Sequence, residues 1–455
     1  MLLASLTMIS CGGSSDDPEP TPSPTPTVTA PTVVSTTPAD NDTDIATGSI
    51  NVQITYDQEI RLDKSKSPSV SGGSAVISGA ASVNGKTITI PVSCSDYETK
   101  ITLTIPAGYA YITGATAAAY TLSFTTAKKP ETPSANISGT PVVATTETAK
   151  KLYTYLTENY QKNVLTGMMA DVAWNNTESE KVYKMIGKYP AINGYDYIHL
   201  ASSLAGANWI NYGDISPVKT WWDNGGIATI GWHWNVPSVE GGKDLGFYKK
   251  GSNGGNGETS FSIANAVTEG TWESKVIEKD LESIAKYIKL LKDAGIPVLW
   301  RPLHEASGGW FWWGAGTAEQ YKKLWITMFD YFKAQDLTNL IWVWTYESNE
   351  SWYPGDNYVD IIGCDIYGDN AASCAKKYND ILNAHSNKMI ALTECGYSDW
   401  SKSNIAYISD QWEAGAKWAW FMPWYSTDTH APQAWWEKVK NASNVIWRDQ
   451  IPNLK

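Results

Sequence analysis

Between residues 163 and 424 the sequence alternates eight short apolar runs with amphipathic stretches, a rhythm that few folds accept. The runs are NVLTGMM, PAINGYDYI, IATIGWHW, IPVLWRPL, LIWVWTY, VDIIGCDIY, MIALTEC and AKWAWFMPW. Each is nearly continuous in apolar residues, the pattern of a strand covered on both faces. Between them lie segments with helical spacing, such as TESEKVYKMIGKY, KVIEKDLESIAKYIKLLKDAG, AEQYKKLWITMFDYFKAQ and NIAYISDQWEAGA. A further segment, TTETAKKLYTYLTENYQ, opens the series with a Thr/Glu start signal. Eight such units in roughly 310 residues predict a (β/α)8 TIM barrel with loop insertions. A doubly wound open sheet is the alternative, but the Gly-rich phosphate loop it usually carries after its first strand is missing.

In a barrel, chemistry sits at the C-terminal ends of the strands. On this reading Glu305 ends the fourth strand and Glu394 the seventh. His233 ends the third, Tyr367 the sixth and Trp424 the eighth. The longest insertion, GGKDLGFYKKGSNGGNGETS from Gly241 to Ser260, follows the third strand and should border the active face.

The residues before the barrel and the composition narrow the fold and its ligands further. The chain has 455 residues, too many for one ordinary core. Residues 1–11, MLLASLTMISC, resemble the end of a bacterial lipoprotein signal, with Ser10 before Cys11 as the residue to be lipidated. A truncated signal peptide with an incidental cysteine is the alternative, since no Lys or Arg precedes the apolar run. A start codon placed too late would account for that. Residues 12–30 are a Pro/Thr/Ser-rich tether, and their opening GGSSDD is similar to the acidic segments after the cysteine in surface-exposed bacterial lipoproteins. Such a chain is expected at the outer membrane or cell surface, lipid-anchored through Cys11, or otherwise secreted or periplasmic. Residues 31–127 carry short alternating runs rich in Val, Ile, Thr and Tyr, with Asn84-Gly85 as a hairpin signal. They predict an all-β, Ig-like sandwich of about seven strands, and TTPADNDTDIATGSINVQITYDQEI resembles the opening of bacterial Ig-like domains. Residues 128–141 read as a linker and 142–455 as the catalytic domain.

The formal charge is −12 and no strongly basic stretch occurs, which argues against nucleic acid and against a polyanionic substrate. A neutral ligand is easier to accommodate. There are 23 tryptophans, and none precedes Trp174. Many should fill the core. Others suit a partly wet concave surface, where an indole offers a flat apolar face and one N–H donor. The C–H faces of sugars lie flat on such rings. The five cysteines show no CxxC pattern and no His-paired spacing, so no zinc site is expected, and the glycosidase reading developed below needs no metal or cofactor. Cys364 and Cys395 could approach each other if their strands are neighbours, but free buried thiols are the preferred reading.

Two carboxylates facing each other across a cleft make a glycosidase: one protonated to donate to the leaving oxygen, the other ionised to attack the anomeric carbon. Glu305 and Glu394 meet that requirement from strands on roughly opposite sides of the mouth. Arg301, His304 and Tyr367 are the groups placed to tune them, because hydrogen-bond donors stabilise an ionised carboxylate and apolar burial disfavours one. Any one of these residues alone reads equally well as structural. Their coincidence at one end of different strands carries the argument.

At this point the residues match a family. RPLHEASGGWFWWG resembles the acid/base motif of glycoside hydrolase family 26, composed mostly of β-mannanases, and ALTECGYS is similar to its nucleophile motif. GWHWN and GCDIYG resemble two more of its strand signatures. The resemblance implies Glu305 as general acid/base and Glu394 as nucleophile. It implies that His304 and Arg301 hydrogen-bond around the site and that Tyr367 orients Glu394. His233 and Trp310 would contact sugars, and Trp424 would stack under one. Ala306 and Ser307 after Glu305, and Cys395 after Glu394, depart from the usual pattern. The implied activity is a retaining endo-β-1,4-mannanase acting on mannan, glucomannan or galactomannan; a monomer is expected, with the oligomeric state left open by the sequence. The alternatives are a β-1,3-xylanase or mixed-linkage β-glucanase of the same family, or a non-catalytic surface glycan-binding lipoprotein.

Overall fold

A computed structural model describes residues 28–129, 134–137, 139–171, 174–200, 210–399 and 402–455. Cys11 and most of the proposed tether lie outside the described residues. No helix among the described residues is long and apolar enough to cross a membrane. The chain divides into two compact units, residues 1–129 and 130–455.

The first unit is all β. One sheet holds Val33–Thr37, Gly48–Tyr56, Thr87–Cys94 and two short strands, and another holds Asp42–Ile45, Tyr120–Thr126, Lys100–Ile105 and Ser69–Ser71. Strict alternation sends Ile50, Val52, Ile54, Ile88, Ile90 and Val92 inward from the first sheet. Ile101, Leu103, Ile105, Leu122 and Phe124 come from the second, and all are buried in one cluster. The strands number twelve rather than about seven, because a third, three-stranded sheet is built from strands of two or three residues that carry too little alternation to be seen in the sequence. The hairpin forms where Asn84-Gly85 signals it, but its two central residues are Gly85 and Lys86, since Asn84 still pairs with Thr87. Only Gly85 of the two takes a positive φ, +57°.

The second unit is a closed parallel barrel. Its strands are β1 (Val164–Met169), β2 (Ile192–Asp196), β3 (Ile227–Trp232), β4 (Val298–Pro302), β5 (Leu340–Tyr346), β6 (Ile361–Tyr367), β7 (Met389–Gly396) and β8 (Trp420–Pro423). They pair in sequence order, and β8 closes on β1 through Leu165–Trp420 and Thr166–Phe421. All eight coincide with the apolar runs, and the reason is burial: β1, β2, β4, β7 and β8 are buried at every position.

Helices cover the outside. The longest is α1 (Trp272–Asp293), capped by Thr271, whose side chain accepts from the Ser274 N–H. The next along the chain, α2 (Ala318–Ala334), opens with a full capping box between Thr317 and Gln320. The repeat is broken once. Between β5 and β6 the described chain makes only two 3-10 turns, Glu350–Trp352 and Asp356–Tyr358, because Pro354 and Gly355 leave too short an uninterrupted segment for a helix. Twelve tryptophans are fully buried, so about half of the 23 serve packing. The four described cysteines, Cys94, Cys364, Cys374 and Cys395, are free and buried. Cys364 and Cys395 do sit on neighbouring strands, but Cys364 pairs in register with Leu392 and Cys395 with Ile366.

Candidate active site

The C-terminal mouth of the barrel gathers the residues expected there. Glu305 lies three residues beyond β4, in a segment that does not continue the strand. Leu303 and Glu305 both take left-handed backbone conformations, φ +50° and +53°, each costing on the order of 1–3 kcal/mol. Neighbouring bonds hold the turn. Tyr321 Oη donates to the Leu303 carbonyl at 3.1 Å, and Trp313 Nε1 donates to the His304 carbonyl at 2.8 Å. Gly308 leaves room for the Trp310 indole: a Cβ there would stand 2.1 Å from the ring. The indole therefore folds back, and its Nε1 donates to Glu305 Oε2 at 3.0 Å. Phe311, Trp312 and Trp313 are buried, so of these four aromatic residues only Trp310 remains partly exposed.

Glu394 is buried near the end of β7. Register against β6 shifts between Cys364–Leu392 and Asp365–Glu394, leaving Thr393 as an extra residue. A bulge of this kind re-aims the side chain beside it. Glu394 Oε1 accepts from Arg301 Nη1 at 2.7 Å, and Oε2 accepts from Tyr367 Oη at 2.8 Å. Arg301 also donates through Nε to Thr345 Oγ1 at 3.0 Å and through Nη2 to Asp365. Asp365 accepts in turn from Thr393 Oγ1 at 2.7 Å. One guanidinium thus bridges three strands.

Glu305, Asp365 and Glu394 each bring a carboxylate oxygen to within 4.8 Å of the others. Three carboxylates at that range could ligate a cation, but the Arg301 guanidinium already supplies positive charge between two of them. Glu305 lies outside that ion pair. Burial first, and then repulsion from Glu394, Asp365 and Glu347, raise its carboxyl well above the ordinary carboxylate range, against the opposing pull of Arg301. Burial likewise pushes Asp365 up to about 7 despite Arg301. The pair consists of one carboxyl whose neutral form is favoured and one that accepts from two donors. It can deliver a proton on one side of a bond and a nucleophile on the other.

The two histidines differ. Burial would lower the His233 pKa, but Asp196 outweighs it and the net direction is upward. Asp196 Oδ1 accepts the His233 backbone N–H at 2.9 Å, and Oδ2 contacts its ring Nδ1. His304, by contrast, is driven well below its ordinary value by burial, then by Arg301 and His233, so it is neutral. His304 makes no ring hydrogen bond to the carboxylates among the described residues. Its Nε2 is 3.9 Å from Glu394 Oε1, beyond hydrogen-bond range, and its Nδ1 is buried with no partner among the described residues. Trp424, half-buried, lies 5.8 Å from the His233 ring by centroids.

Four neighbours were not singled out from sequence. Asp196 and Asp365 are strand-end carboxylates on β2 and β6, and the positional rule that selects Glu394 would have found both. Glu347 follows β5, and burial together with Asp365 and Glu394 pushes it up to about 8. Tyr248 comes from the long insertion. Burial and the nearby Glu305, Tyr425 and Glu394 raise its phenol. No periodicity marks it.

Arg301 is the central support of this arrangement. Arg301→Ala leaves Asp365 and Glu394 buried without their cation and should lower the unfolding free energy by about 3–5 kcal/mol. Denaturant titration checks this, and a loss under about 1 kcal/mol, the size expected of an exposed pair, would contradict it.

Fold and site together define a glycoside hydrolase: a (β/α)8 barrel with two facing carboxylates at the C-terminal ends of its fourth and seventh strands. Residues 142–450 match glycosyl hydrolase family 26, and residues 27–126 match the bacterial Ig-like domain. The chain belongs to glycosyl hydrolase family 26. It is similar to the family 26 domain of the endo-β-mannanase/endo-β-glucanase of Prevotella bryantii, with 42% identity, TM-score 0.64, and coverage of 70% of this chain and 100% of that one. A β-mannanase from a symbiotic protist of the termite Reticulitermes speratus, solved with a gluco-manno-oligosaccharide, is 36% identical with TM-score 0.62, covering 70% and 99%. Mannan endo-1,4-beta-mannosidase B of Piromyces is 34% identical over 320 residues, 67% of this chain and 52% of that protein. The chain thus spans about half the length of that relative.

Proposed function

We propose that this protein is an endo-acting β-1,4-mannanase working by retaining double displacement. The observation that carries the reading is the carboxylate pair, whose oxygens lie within 4.8 Å of each other with unlike surroundings. Oxygens within 4.8 Å of each other fall short of the roughly 6.5–9.5 Å separation that makes room for a water between carboxylate and sugar, which favours a covalent intermediate and retention.

Glu394 attacks the anomeric carbon, with Arg301 and Tyr367 fixing both of its oxygens. Glu305, held protonated, donates to the leaving glycosidic oxygen and afterwards takes a proton from the attacking water. Trp310 holds the Glu305 carboxyl in place. His233 and Trp424 face the sugar at the cleavage point. Mannan specificity draws its support from relatives whose names give that activity.

Digests of linear β-1,4-mannan should yield a spread of manno-oligosaccharides, with β-1,3-xylan and lichenan cut at least tenfold more slowly. Chromatography of the products decides it. A single small product would mean exo action, and faster cleavage of xylan or lichenan would move the substrate within the family.

A further inference from the structure

We propose that His430 is a positioning residue for the nucleophile: its ring holds the Tyr367 ring in place, and the Tyr367 phenol in turn holds Glu394. The inference rests on the double-displacement reading, in which Glu394 attacks. Tyr367 Oη donates to Glu394 Oε2 at 2.8 Å. One hydrogen bond at the tip of a phenol fixes the carboxylate only if the ring behind it is fixed as well. His430 supplies an aromatic neighbour for that ring. The two ring centroids lie 5.9 Å apart with the planes at 73°, the edge-to-face arrangement that aromatic pairs favour. Among the described residues no other aromatic ring stands against Tyr367 in this way.

The chain after β8 is shaped to bring the imidazole there. The Trp424 N–H donates to the Cys395 carbonyl at 2.9 Å, which ties the end of β8 to the residue after Glu394. Ser426 then takes a left-handed conformation, φ +65°, and the chain reverses into one helical turn, Thr427–His430. The Ser426 carbonyl accepts the N–H groups of Thr429 and His430 at 2.9 and 3.1 Å. This turn sets the imidazole down on Gly396, two residues past the nucleophile. A Cβ on Gly396 would stand 2.5 Å from His430 Nδ1 and 2.7 Å from His430 Cβ, so the absence of a side chain at Gly396 is what admits the ring. The Gly396 carbonyl accepts from the Gly368 N–H at 2.9 Å and the Ile405 N–H at 3.2 Å. The backbone under the ring is therefore anchored on two sides.

The imidazole acts by shape rather than by charge. Its Nδ1 is buried with no hydrogen-bond partner among the described residues. Burial lowers its pKa, against the opposing pull of Asp399 and Glu394, so the neutral ring is favoured. A benzene ring would lose no hydrogen bond at Nδ1 and would keep the edge-to-face contact. A side chain without a ring would leave Tyr367 free to swing off Glu394, and the attacking carboxylate would keep only its bond from Arg301.

The test is a double-mutant cycle on mannohexaose, with His430→Ala, Tyr367→Phe and the two combined. A hydrogen bond to a charged group is worth about 10- to 150-fold, and its partial loss in His430→Ala should lower kcat about tenfold while KM stays within about twofold of wild type. His430→Phe should restore kcat to within about twofold of wild type. In the Tyr367→Phe background no phenol remains to be held, and adding His430→Ala should cost less than about twofold. His430→Leu fills the space without a ring; it should lose as much as the alanine variant, and it takes that variant's place in the cycle if alanine does not fold. Four results overturn the proposal and leave the mannanase reading intact: equal losses in both backgrounds, a loss carried by KM, a phenylalanine variant as slow as the alanine one, or wild-type kcat in His430→Ala. An unchanged kcat in Tyr367→Phe alone would instead sink the mechanism drawn around Glu394, and the role of His430 with it.

Discussion

Replacing Glu394 with alanine should cut kcat/KM on mannan on the order of 10⁴-fold or more, as expected when the attacking group itself is removed. The fold should survive, because Arg301 keeps Asp365 as a partner. The loss should be reversible by chemistry. The shortened side chain leaves a space beside the anomeric carbon, and azide can enter it and attack directly. One displacement instead of two then gives an inverted glycosyl azide from an aryl mannoside. NMR of the product distinguishes this from ordinary hydrolysis. Full activity in the variant would remove Glu394 from the mechanism. Rescue by azide to a product of retained configuration would exchange the roles of the two glutamates.

The second large effect falls on Glu305. Glu305→Gln should lower kcat/KM on mannan about 10²–10⁴-fold, the usual worth of a general acid. An aryl mannoside with an acidic phenol needs no proton on departure, so formation of its covalent intermediate should lose little. The pH profile separates this role from a structural one. The folded-state pKa of Glu305 is raised, by burial first and then by Glu394, so its proton is kept above the ordinary carboxylate range and lost as pH rises through the raised value. The alkaline limb of the wild-type profile should therefore vanish in Glu305→Gln. Linkage predicts a matching change in stability. A carboxyl with a raised folded-state pKa stabilises the fold fully below its unfolded pKa, and the contribution fades as pH rises through the folded one. The glutamine variant should thus melt above the wild type on the alkaline side. An unchanged alkaline limb would transfer the acid role elsewhere, with Glu347 the next carboxyl to test.

The route from sequence to these residues was short for some and closed for others. Parallel barrel strands are covered on both faces, so each of the eight leaves an unbroken apolar run, and strand ends can be read from where it stops. Glu394, His233, Tyr367 and Trp424 were found in this way. Glu305 was found too, although it lies beyond its strand in a left-handed turn that no apolar pattern marks. Twelve strands in the first unit read as about seven, because a strand of two residues has no alternation to show. The insertion was visible as a Gly-rich stretch facing the mouth. That Phe247 packs on His233 and Tyr248 lies near both glutamates depends on backbone bonds to residues more than sixty positions away.

What the sequence alone determined is the barrel, the sandwich before it, and the residue types at the barrel mouth. Periodicity is a local property of the chain and records which faces are buried. Tertiary structure decided the surroundings of each carboxyl. Arg301 reaches Glu394 across 93 positions and Asp365 across 64, while Glu305 is left with an indole N–H and carboxylate neighbours. Protonation follows the distances to charges and donors, and those distances exist only once the strands have closed into a ring.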